Sequence, residues 1–165
     1  MTMPDRPDPG EATLAAWGRD VHDAVFTPLG CRVAGGGTLS VGTTLAKLPL
    51  NTAVDDPGGW LNATTDQVTV SVDGAGLYEF SLDVRTDSGT ASERTRVHMR
   101  RNGVRVVGFF VNQDGATFEI DGRGGLIQLD GSDVIEVWAS TTGGTNPVVN
   151  VEVLSLVRRG LAIGT

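Results

Sequence analysis

Residues 77–85, "LYEFSLDVR", alternate apolar and polar side chains without a break, with Tyr78, Phe80, Leu82 and Val84 on one face and Glu79, Ser81, Asp83 and Arg85 on the other. Period two belongs to a strand that buries one side against a second layer while water wets the other. Similar runs are "QVTVSVD" from Gln67, "RTRVHMR" from Arg94, "VRVVGFFV" from Val104, "TFEID" from Thr117, "GLIQL" from Gly125, "DVIEVWAS" from Asp133 and "VVNVEVLSLV" from Val148. With "TTLAKLPL" from Thr43 the count is about nine strands. Asn102-Gly103, between two of them, is a two-residue hairpin signal because both residues tolerate positive φ. Short strands spaced by turns predict an antiparallel sandwich or barrel, not parallel βαβ units.

One stretch departs from this period: "DPGEATLAAWGRDVHDAVF", residues 8–26. Asp8 offers an N-cap, Pro9 suits the first helical position and Glu11 completes a capping box. Leu14, Trp17, Val21, Ala24 and Val25 then recur at helical spacing, and Pro28 and Gly30 close the segment. The spacing predicts a short amphipathic α-helix ahead of the strands. Four stretches follow: a flexible arm over residues 1–7, a helix and Gly-rich connector over 8–42 that includes "GGGTLSVG", a β domain over 43–159, and a tail over 160–165. A chain of 165 residues is enough for one such domain, which buries roughly 70% of its unfolded surface.

A net charge of -7 and 20 acidic against 13 basic residues disfavour attraction to nucleic acid or an anionic membrane. The sequence shows neither a signal-peptide pattern nor a run of about 18 apolar residues, so no secretion signal and no membrane span are expected. Cys31 is the single cysteine, which rules out an intrachain disulfide and fits a reducing site of synthesis.

Catalytic chemistry has little to stand on. The two histidines, His22 and His98, lie far apart in sequence, and a jelly-roll metal site needs clustered histidines with a carboxylate. His22-Asp23 lacks the G-x-S-x-G context of a hydrolase triad, and "GGGTLSVG" and "GRGG" lack the Lys-Ser/Thr ending of a phosphate loop. No enzyme, cofactor or metal is expected. Two features remain as a ligand or partner face. In "DDPGGWLNATTD", residues 55–66, Asp55, Asp56, Asn62 and Asp66 surround Trp60, which either presents an aromatic platform to a sugar or plugs one end of the sandwich. Arg94, Arg96, His98 and Arg100 share one face of a strand, with Thr95, Val97 and Met99 on the other. That stripe suits an acidic partner, or else a solvated face paired with acidic neighbours.

The run "LPLNTAVDDPGGWLNATTDQVTVSVDGAGLYEFSLDVRTD", with "RTRVHMRRNGVRV", "IQLDGSDVIEVWAS" and "VEVLSLVRRG", resembles the jelly roll of the tumour necrosis factor and complement globular-head superfamily. Gly76, Tyr78 and Phe80 match its Gly-x-Tyr-x-Phe element; Leu129 and Asp133 match its Leu…Gly-Asp element, where Ser132 replaces the glycine and Gly131 is shifted. "AWGRDVHDAVFTPLGCRV" is similar to the N-terminal region of phage structural proteins, and virion proteins of tailed actinobacterial phages are the relatives the two likenesses suggest. The resemblance implies a homotrimer of ten-stranded jelly rolls; Leu154, Leu156 and Val157 fit a buried contact between its subunits and fit the core of a monomer equally well. It further implies a virion structural protein, assembled in the host cytoplasm and held on the capsid as a decoration or head fibre. Leu14, Trp17, Val21 and Val25 would then pack against a trimer partner, the major capsid protein or another virion protein. The alternative is a tail-associated receptor-binding protein of the same fold, in which Trp60 or the Arg94, Arg96 and His98 face binds a host surface glycan.

Overall fold

The computed structural model describes residues 30–87, 94–112, 118–144 and 146–161. The sequence-predicted helix, the arm before it and the stripe of Leu14, Trp17, Val21 and Val25 lie outside the described residues.

The described chain is all β. Twelve strands run β1 Gly30–Ala34, β2 Leu39–Ser40, β3 Ala46–Lys47, β4 Thr52–Asp55, β5 Leu61–Asn62, β6 Gln67–Thr69, β7 Gly76–Asp87, β8 Arg94–Arg101, β9 Val104–Asn112, β10 Phe118–Leu129, β11 Val134–Thr141 and β12 Val148–Leu161. They form two antiparallel sheets, one ordered β10-β7-β12-β1-β4 with β2 beside β12, the other β5-β6-β11-β8-β9 with β3 beside β11. The sheets face each other across one core that includes Val33, Leu50, Tyr78, Met99, Ile135 and Leu154.

The long alternating runs became the long strands. In β7 every second residue from Gly76 to Thr86 is buried, the pattern read from its sequence. Asn102 and Gly103, at φ 51° and 78°, turn β8 into β9 as the hairpin signal requires.

Three expectations need correction. The strand number is twelve among the described residues, not nine to ten. Gly30–Ala34 and Leu39–Ser40, assigned from sequence to the connector before residue 43, are strands of the β10–β4 sheet, with Cys31 opposite Leu156 and Leu39 opposite Val149. "FEID" of the first run and "GLIQL" are parts of one strand, β10, whose glycines do not interrupt pairing: Gly122, Gly124 and Gly125 stand opposite Asp83, Ser81 and Phe80. There the absent side chains make room for neighbours, since a β-carbon on Gly125 would come within 3.1 Å of the Phe80 ring.

The departure at Ser132 has a backbone consequence. Ser132 adopts φ 74°, the left-handed conformation that glycine takes without strain. The strain of a side chain there, about 1–2 kcal/mol, exceeds the entropy glycine adds to the unfolded chain. Ser132→Gly is therefore expected to raise stability by up to about 1 kcal/mol, read as a higher denaturation midpoint at unchanged slope.

Candidate functional site

The solvent face of the second sheet is built around β8. Arg94 and Arg96 point outward and are exposed, while Thr95, Val97 and Met99 point into the core, as the alternation predicts. His98 shares the outward face but is only 9% exposed. Neighbouring strands cover it: Trp138 of β11 lies opposite on one side and Gly108 of β9 on the other. A β-carbon on Gly108 would come within 3.3 Å of the Arg105 side chain and 3.4 Å of the His98 ring, so both fold into the space over that glycine. A register shift between Met99 and Arg100 sets this alignment, and on the turn side of it Arg100 stands opposite Arg105.

Aromatic rings hold three of the guanidiniums in place. Arg94 and Arg96 lie 5.9 and 5.4 Å from the centroid of Phe110, and Arg100 lies 5.0 Å from that of Trp138. Acidic compensation is sparse. Among the described residues no carboxylate forms an ion pair with Arg94, Arg96, Arg100 or Arg105. Glu136, opposite Arg100, is engaged by Lys47 of β3 at 2.6 Å and by the Trp138 indole N–H at 3.1 Å. Burial pushes its carboxyl pKa up, but those two hydrogen bonds and the charges of Lys47 and Arg100 outweigh it and leave the pKa below the usual range.

Both ring nitrogens of His98 are shut off from solvent without a hydrogen-bond partner, and so is Nε of Arg100. Burial, then the charges of Arg105, Arg100 and Arg96, lower the His98 pKa. A lowered folded pKa means that the fold resists protonation of this ring. The stability this gives is present above the ordinary histidine value and is lost as pH falls through the folded one.

The second candidate resolves differently. Trp60 is 2% exposed and packs edge-on against Tyr78, with ring centroids 5.7 Å apart. It is the plug of one end of the sandwich, and its ring faces are closed to a sugar. The surrounding oxygens serve the turn. Asp56 accepts the backbone N–H groups of Trp60 and Leu61, each at 2.8 Å, Asn62 accepts those of Thr64 and Thr65, and Asp66 accepts that of Leu50. Among the described residues no three His, Cys, Asp or Glu side chains gather as metal ligands.

Sequence reasoning missed Arg105, Phe110, Trp138 and Lys47 as members of the basic face. The hairpin turn alone pairs Arg100 with Arg105 and was a usable signal; Trp138 and Lys47 arrive through strand pairings that no local pattern announces.

No protein-family model matches the chain, and no curated protein matches it. Solved structures do. The globular domain of zebrafish complement 1qA protein aligns with a TM-score of 0.58 at 14% identity, covering 82% of this chain and 97% of its own. Murine APRIL gives 0.57 at 17% identity, covering 79% and 98%, and the Eiger TNF from S. frugiperda gives 0.56 at 13%, covering 83% and 96%. At these identities the likeness is one of fold: the chain shares the jelly-roll fold of these tumour necrosis factor and complement globular-head domains.

Proposed function

We propose that this chain is a non-enzymatic structural subunit, a homotrimer of jelly rolls carried by a phage virion, in its simplest form a capsid decoration or head fibre held through the segment before Gly30. The observation that carries the assembly is the outer face of the β10-β7-β12-β1-β4 sheet. Gly124, Ser81 and Ser155 lie side by side across three strands, and Arg32 continues the row on β1. The three small residues let a neighbouring molecule approach the backbone closely, up to Arg32 at the end of the row. Beside it Leu126 is 64% exposed, apolar surface that a neighbour would cover. The virion assignment is supported by the N-terminal likeness to phage structural proteins, and the host cytoplasm is where such a subunit would be made.

Two readouts test the pair of claims. Light scattering on the purified protein is expected to give a trimer, and Ser81→Arg, on an exposed position, to give a folded monomer. Quantitative mass spectrometry of purified particles is expected to give a copy number commensurate with the capsid lattice. A few copies would favour the tail-associated reading, and none would remove the virion reading while leaving the trimer standing.

A further inference from the structure

Arg100 and Arg105 face each other directly across the β8–β9 pair. Like charges in that relation repel and destabilise a sheet, yet no described carboxylate pairs with either. His98, the next outward residue on β8, is flanked by Trp138, which carries the Arg100 guanidinium, and by Gly108, over which the Arg105 side chain folds; its ring has two unpartnered nitrogens, on a residue more than nine-tenths buried. Buried polar atoms are nearly always hydrogen-bonded, and here three, two on His98 and one on Arg100, have no partner. We propose that this cluster is a binding site for a phosphate or sulfate group, seated between the guanidiniums of Arg100 and Arg105 with His98 as a further donor. Arg96 and Arg94 extend the site along β8 to a second anionic group of the same ligand.

The chemistry follows from the side chains. A guanidinium presents a planar fork of donors that two oxygens of a tetrahedral anion can accept together. Two such forks, one over Trp138 and the other beside Gly108 on either side of His98, would replace mutual repulsion with shared attraction to one anion. Arg94 and Arg96, two residues apart on one strand, are spaced by about 7 Å, which suits repeated charged groups on one ligand. The rings of Phe110 and Trp138 already hold three of these arginines, so less side-chain freedom is lost on binding. The net charge of -7 opposes a long nucleic acid lying across the whole surface and confines attraction to this face.

The bound anion would also change His98. The charged groups around it are Arg96 and Arg100 on its own strand, Arg105 on β9, Glu136 on β11 and Lys47 on β3, and the three arginines now disfavour its protonation. An anion among them offsets that field, so binding takes up a proton and strengthens as pH falls through the histidine range. None of this depends on the virion reading.

The test is a proton NMR titration of the full chain, following the His98 ring and assigning it with His22→Gln, since the chain has two histidines. The probes are inorganic phosphate, inorganic sulfate, short-chain polyphosphate and a poly-glutamate peptide. Phosphate, sulfate or polyphosphate is expected to shift the His98 resonance and raise its titration midpoint. Arg105→Gln, at an exposed position, is expected to weaken binding about tenfold or more, and Arg100→Gln serves as the second variant. Response to polyphosphate alone would make the source a group pendant on a polymer; response to the free ions would make it a free anion. A resonance that moves only with poly-glutamate, does not move at all, or moves as far in both variants as in the parent overturns the proposal.

Discussion

Trp60→Ala is expected to lower the unfolding free energy by about 3–5 kcal/mol, measured by chemical denaturation. The indole is almost wholly buried, meets Tyr78 edge-on and closes one end of the core. Its surroundings are shaped for it, since a β-carbon on Gly74 would come within 3.2 Å of the ring. Alanine would leave a cavity that the rigid turn behind it cannot fill, because Asp56 ties the backbone of Trp60 and Leu61 in place. Tyr78, fully buried with its hydroxyl donating to the Gly74 carbonyl at 2.5 Å, would lose its ring partner. Trp60→Phe keeps a ring and removes the unpartnered indole N–H, so it is expected to lose less than half as much. A sugar platform would behave otherwise: the alanine variant would fold as well as the parent and lose only binding.

Leu154→Ala is expected to cost about 2–5 kcal/mol, and the loss should not change with protein concentration. Leu154 is fully buried between Leu82 of β7 and Val33 of β1, inside one sandwich. Val157, on the same strand, belongs to the outer face, beside Glu79 and Gly30. Its truncation should cost the fold much less and act, if anywhere, on association. The apolar cluster of Leu154, Leu156 and Val157 therefore divides into two core residues and one surface residue. Concentration dependence of unfolding separates the roles, since only an interface residue couples stability to assembly.

Legibility in the sequence follows from how each element is stabilised. Strands β7, β8, β11 and β12 bury one face along most of their length, so their alternation betrays them. Strand β4, Thr52–Asp55, is exposed at every position and carries no such signal. Its partner β1 is five residues long, and β2, β3 and β5 are two residues each, too short for a period to register. The basic stripe was visible as four residues of β8, whereas the covering of His98 depends on a register shift and a glycine across the sheet. Trp60 could be read as a plug or a platform, and only the packing of Tyr78 against it decides between them.

Cys31 makes the β1–β12 pair observable in time. It is 4% exposed, opposite Leu156, and burial together with the charges of Asp56 and Asp55 pushes its thiol pKa up to about 12. The folded protein thus offers a thiol-reactive dye almost nothing, while an opened β1 offers an ordinary cysteine. As the chain has no other cysteine, the labelling rate reads the opening of that strand directly, and a new cysteine placed at an exposed position such as Val104 would take a probe against a silent background.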